Sequence, residues 1–169
     1  MKIIETNIKN LILIQHFTSV DERGIFMKPV ISNELELNKL SEIYCTKSKK
    51  GVIRGLHYQT GEFAQRKYVT CLEGVIEDIA LDLRISSSSY GKIYRKKLQS
   101  TDRLSILIPR GFAHAIFTHE ESIVMTCCDN KYYPEHENGI NWESLPDLCD
   151  LPVSTISNKD KALPNWNQL

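Results

Sequence analysis

No stretch of this chain is apolar for long enough to cross a membrane, and its start, Met1-Lys2-Ile3-Ile4-Glu5-Thr6, has no signal-peptide core. A cytoplasmic setting is expected. Neither charge is in excess: Lys+Arg is 21 and Asp+Glu is 21, so nothing calls for nucleic acid or a membrane surface as partner. There is no CxxC. The cysteines Cys45, Cys71, Cys127, Cys128 and Cys149 are odd in number, which suits free thiols in a reducing compartment better than a disulfide framework. No Gly-rich phosphate loop occurs. An H-x-H pair is also missing, since Gln59 follows His57 and Ile116 follows His114 at that spacing. That argues against a catalytic metal, and no metal or cofactor is expected. Helix is scarce as well. Ser32 is placed to cap a short helix to Leu40, and this is the one good helical candidate in the first two thirds.

What is present is strand. The chain has 169 residues, 41% of them hydrophobic, enough for one domain (1–169) with a real core. Strands are predicted over Leu11–Ile14, Ile25–Met27, Val75–Arg84, Tyr94–Leu98, Leu104–Ile108, His114–Thr118 and Ile123–Cys127. In the third of these, Ile79, Leu81 and Leu83 face one way and Asp78, Asp82 and Arg84 the other. Turn signals, among them Val20–Gly24 and Ser86–Gly91, separate the strands at short intervals. The pattern is that of an all-β sandwich or barrel. Beyond Pro134 the chain reads as irregular, with Trp142 and Trp166 as anchors.

The chemistry concentrates in Arg54-Gly55-Leu56-His57-Tyr58-Gln59 and in Gln65-Arg66-Lys67-Tyr68-Val69. Apolar residues on both sides of Thr60-Gly61-Glu62 predict a hairpin, which would bring His57 and Lys67 into one pocket. A histidine takes protons near neutral pH, and a neighbouring lysine stabilises a developing oxyanion. That pairing suits proton abstraction next to a ketone. On spacing alone, a surface hairpin with ordinary polar residues is the stronger reading. His114, taken alone, reads as a hydrogen-bonded structural histidine, and Arg23, Arg54 and Lys159 as solvated charges.

A family pattern changes that balance. Asp21-Glu22-Arg23-Gly24, Arg54 to Gln59, Gln65 with Lys67, Val75 to Arg84, Ile108-Pro109, Gly111 to His114, Tyr132 to Glu137, Gly139-Ile140, Trp142 and Ser157 to Asp160 follow one another in order. In these blocks the chain resembles the dTDP-4-dehydrorhamnose 3,5-epimerase family over nearly its whole length. The resemblance implies a cupin-type jelly roll with few short helices, a homodimer with exchanged N-terminal strands, and no metal. It implies a nucleotide-diphospho-4-keto-6-deoxy-sugar as substrate, in deoxysugar and O-antigen polysaccharide synthesis. His57 matches the general base and Asp160 the carboxylate that orients it. Lys67 and His114 match residues near the C4 carbonyl. Arg23, Arg54 and Lys159 match diphosphate or sugar contacts, with Arg23 reaching across the dimer. Gln59 and Glu137 match other ligand contacts, and Tyr132 the aromatic against the base.

The chain also departs from the pattern. Met125-Thr126-Cys127 occupies the place of the family's acid tyrosine, with Thr126 aligned to it, and a shift of one residue restores no tyrosine. A threonine hydroxyl is a far weaker acid than a phenol. The family's tyrosine is associated chiefly with reprotonation at C5, so inversion at C3 alone is expected here, with water or the Cys127 thiol as donor. Lys28 stands where the family commonly has Glu, and Glu42 and Tyr44 where it has Gln and Asn. A carboxylate only accepts hydrogen bonds. Glu42 at the base edge would therefore favour the cytosine amino group, and CDP over dTDP. A 5-epimerase or 3,5-epimerase, a 3,4-ketoisomerase and a non-catalytic nucleotide-sugar-binding jelly roll are the alternatives.

Overall fold

The computed structural model describes residues 1–30 and 40–168, so the helix expected from Ser32 falls outside the described residues. The strands in chain order are β1 (Lys2–Glu5), β2 (Ile12–Gln15), β3 (Phe17–Asp21), β4 (Gly24–Lys28), β5 (Glu42–Ser48), β6 (Ile53–Gln59), β7 (Lys67–Glu73), β8 (Val75–Asp82), β9 (Ile93–Gln99), β10 (Leu104–Ile108), β11 (Phe112–Thr118), β12 (Ser122–Cys128) and β13 (Glu137–Gly139). A single turn of α-helix, α1 (Asn158–Lys161), follows near the end. One sheet runs β1-β2-β10-β7-β12-β5 and the other β13-β6-β11-β8-β9, with the β3–β4 hairpin separate. This is a jelly roll. The strands expected from β8 to β12 are present to within two residues at each end, whereas β1, β3 and β5 have too little alternation to be seen in the sequence.

Period-two alternation sorts the side chains into three apolar layers. Between the sheets lie Leu13, Val69, Ile106 and Val124 from one and Ile76, Ala80, Leu98 and Ile116 from the other. Behind the five-stranded sheet, Ile53, Ile79, Leu81 and Phe117 pack under the C-terminal segment through Ile140, Leu145 and Leu148, with Trp142 and Trp166 against them. Behind the six-stranded sheet, Ile14, Tyr68, Leu107 and Cys127 form a smaller cluster. The alternation expected in β8 holds, but both of its faces are covered, and Asp78 and Asp82 are fully buried. Asp82 is satisfied by Arg84, Ser87 and Ser89. Asp78 belongs to the site described below.

The hairpin expected around Thr60-Gly61-Glu62 does not form. β6 and β7 lie in different sheets, with Gly61–Phe63 as a short 3-10 turn in the crossing between them. His57 and Lys67 nevertheless share a cavity, because the two sheets face each other there.

Candidate active site

The inter-sheet core opens at one end into a cavity of about 500 Å3, lined by Tyr44, Arg54, His57, Lys67, His114, Thr126, Lys159 and Asp160 among others. A second cavity of about 230 Å3 adjoins it, lined by Glu42, Gln59, Tyr132 and Glu137 among others. The sequence brings these residues inward by strand phase. Lys67, Val69 and Cys71 alternate with Tyr68 on β7, and Thr126 and Cys128 with Cys127 on β12. The apolar members of each series go into the core, and the polar members line its open end.

His57 sits on β6, directly opposite His114 on β11, where the register slips by one residue. Such a bulge re-aims side chains next to a site. Gly55 makes the close approach possible: its φ is +110°, and a Cβ there would lie 2.4 Å from the carbonyl oxygen of His114. His57 Nε2 lies 2.8 Å from Asp160 Oδ1, and the other carboxylate oxygen accepts the Gly55 N–H at 3.1 Å. Asp160 is held from behind, its own N–H donating to Ser157 Oγ at 3.0 Å at the start of α1. Burial alone would raise the Asp160 pKa, but the bonds from His57 and Gly55 outweigh it and hold the carboxyl below its usual value. An ionised Asp160 accepts Nε2–H, so the tautomer is fixed and Nδ1 of His57 is left as the basic nitrogen.

His114 has a matching partner that its sequence position does not reveal. Its Nε2 donates to Asp78 Oδ2 at 2.9 Å, with both residues buried. Asp78 Oδ1 is buried without a hydrogen-bond partner. Its charge bears on Lys67 across the cavity. Burial lowers the Lys67 pKa, while Cys128, Glu137, Asp78 and Glu42 act against that and favour the ammonium. The arrangement sets a base on one sheet against a cation on the other, with a second histidine beside the base.

At the mouth, Lys159 pairs with Glu137 and its ammonium lies 5.8 Å from the centre of the Tyr132 ring. Tyr132 donates its hydroxyl to Glu137 Oε2 at 2.9 Å and its backbone N–H to Glu42 Oε2 at 2.9 Å. Arg54 faces the cavity with Nε donating to Ser48 Oγ at 2.9 Å. Gln59 is buried with its amide engaged on backbone groups: it donates to the carbonyls of Phe63 and Lys131 and accepts from Tyr133 N–H. That ties down the segment carrying Tyr132. Arg23 is not brought to the cavity of its own chain. It sits at the tip of the β3–β4 hairpin, paired with Asp21, its side chain 83% exposed.

Thr126 lines the cavity wall on β12, while Cys127 points to the opposite face of that sheet. Cys127 belongs to the cluster behind the six-stranded sheet and does not line the cavity, so its position removes it as a proton donor. Two groups of the site carry no role in the sequence-based assignments. Asp78 lies within the Val75 to Arg84 block, where nothing marks it out, and is buried against His114. Tyr44 registers in the sequence only as a departure from the family pattern.

The comparisons with known proteins agree with this geometry. A family model described as dTDP-4-dehydrorhamnose 3,5-epimerase matches residues 5–168. A protein of that name from Methanothermobacter thermautotrophicus is 35% identical, covering 99% of this chain and 94% of its own length. Among solved structures, the 3,5-epimerase of Elizabethkingia anophelis superposes with a TM-score of 0.87 at 33% identity, covering 99% of this chain and 97% of that one. The Legionella pneumophila enzyme, solved in complex with dTDP-4-keto-L-rhamnose, gives 0.91 at 30% identity, covering 99% and 94%. With the jelly roll, the paired histidines and the facing lysine in one cavity, this chain belongs to the dTDP-4-dehydrorhamnose 3,5-epimerase family of isomerases.

Proposed function

We propose that the chain epimerises a dTDP-linked 4-keto-6-deoxyhexose at C3. The observation that carries the reading is the His57–Asp160 pair on one sheet facing Lys67 on the other across a shared cavity. The 4-ketone acidifies the neighbouring hydrogens. His57 Nδ1 takes the C3 hydrogen as a proton, the C3–H electron pair moves into the enolate, and its oxygen is held by Lys67 and by His114 when that imidazole is protonated. Reprotonation at C3 from the opposite face inverts the centre, and His57 returns its proton to solvent. Mere binding needs no base, so the oriented imidazole disfavours a non-catalytic role. In this reading Arg54 and Lys159 take the diphosphate and Tyr132 the base.

The carrier is taken from a relative: the Bacillus anthracis protein, 31% identical, was solved with TDP bound, which favours thymidine. Glu42 does not decide it, because a carboxylate whose Oε2 accepts the Tyr132 backbone N–H keeps other acceptor sites. The carbon follows from Thr126, which stands where the family's C5-associated tyrosine would. Incubation of the dTDP-4-keto-6-deoxyglucose in D2O with NMR of the product tests the reading. Deuterium and inversion at C3 alone are expected; inversion at C5 overturns the choice of carbon, and no exchange anywhere overturns catalysis.

The same reading includes a homodimer. The β3–β4 hairpin leaves Phe17, Val20, Ile25 and Phe26 each about half exposed or more, an apolar surface unusual for a lone chain. Packed on a second copy, the hairpin would carry Arg23 to the partner's cavity. Sedimentation should give a dimer, and a fully active monomer would refute it.

A further inference from the structure

The reaction needs an acid on the face opposite His57, and Thr126 is too weak to serve. We infer that Tyr44 is that acid, a phenol supplied from strand β5 at the position directly across from Thr126. The inference rests on the proposed epimerase reading and fills its missing step.

Register carries it first. In the β5–β12 pair Tyr44 is the partner of Thr126. Directly opposed residues have Cβ atoms about 5 Å apart on the same face of a sheet. The phenol therefore enters the cavity from the wall that would have carried the family's tyrosine, one strand over. Position carries it second. Among the described residues, three line both cavities: His57, Lys67 and Tyr44. Two of these are the base and the cation, so Tyr44 stands where the chemistry converges. Tyr44 belongs to the six-stranded sheet and His57 to the five-stranded one, so a sugar ring between them meets the two groups on opposite faces.

The phenol's environment suits donation. Tyr44 as a whole residue is 39% exposed, but desolvation at its hydroxyl, then the nearby Cys128, raises its pKa above the ordinary phenol value, while the Thr126 hydroxyl draws it down. Tyr44 is thus protonated at neutral pH and ready to give its proton. Thr126 acquires a role as well, steadying the hydroxyl of the residue that replaces it. In the step itself, the enolate π electrons form the new C3–H bond with the Tyr44 proton. The O–H electron pair stays on the phenolate, which regains a proton from water. A raised phenol pKa makes the phenolate short-lived, which favours turnover once the carbon is protonated.

The test is Tyr44→Phe with dTDP-4-keto-6-deoxyglucose in D2O. Phenylalanine keeps the ring and removes only the hydroxyl. His57 still removes and returns the hydrogen on its own face, so deuterium should enter with retained configuration within about tenfold of the wild-type exchange rate. Inversion should fall at least about 100-fold. Inversion undiminished in Tyr44→Phe overturns the inference while leaving the epimerase reading intact. Loss of exchange together with inversion also overturns it, because the hydroxyl would then be serving binding or abstraction. Absence of exchange in the wild-type protein strikes the epimerase reading itself.

Discussion

His57→Ala removes exchange of the hydrogen beside the ketone by about 10⁴-fold, the upper end of what a positioned base supplies. The large figure follows from the geometry. His57 is the imidazole whose partner, Asp160, is buried, ionised and tied on its second oxygen by the Gly55 N–H. His114, its cross-strand neighbour, has its Nε2 engaged on Asp78. The fold should survive. The His57 side chain is 24% exposed at the end of the core, and Asp160 keeps its bonds to Gly55 and Ser157. Losing one charge-assisted bond to a buried carboxylate costs about 1–3 kcal/mol, a modest drop in melting temperature. Deuterium incorporation measured by NMR decides it: exchange near the wild-type rate in His57→Ala would mean that another group is the base.

Lys67→Met should lower kcat by about 10²–10³-fold with little change in KM. The ammonium acts on charge that exists only once the proton has left carbon, so its loss falls on the chemical step. A linked effect follows from its burial. Desolvation lowers the Lys67 pKa below its ordinary 10.5, so the wild-type rate should decline with rising pH before that value is reached, as the cation is lost. In Lys67→Met that decline should vanish, because the variant has no proton to lose there. An unchanged kcat, or an alkaline limb that persists in the variant, would remove Lys67 from the oxyanion role.

Alternation made most of the fold legible. β8, β10 and β11 announce themselves by apolar residues at every second position, because each is packed on both sides by a defined layer. Pairing is different, since period two says which face a residue takes and nothing about which strand lies beside it. The apolar runs around Thr60-Gly61-Glu62 look like a hairpin for that reason, yet the chain crosses there from one sheet to the other. His57, Asp160, Lys67 and His114 could be named from the resemblance, and they meet in one cavity. Arg23 could be named too, but its place depends on a second chain. Asp78 and Tyr44 were out of reach for a physical reason. Each is tied to the site by a neighbour that only cross-strand register or the fold of the interior supplies, His114 in one case and Thr126 in the other.

His57 stands on one sheet and Lys67 on the other, and among the described residues no hydrogen-bonded ladder joins those two sheets. Their separation is set by the thickness of the apolar layer behind them, by Val69, Ile76, Ile106, Ile116 and their neighbours. Face-to-face sheets stand about 10 Å apart, and interiors respond to the loss of a single methylene. The width of the gap into which the sugar must fit is therefore encoded in residues that never touch it. Drift in those core positions would act on this enzyme as a change of gauge, altering turnover through distance while leaving every catalytic group in place.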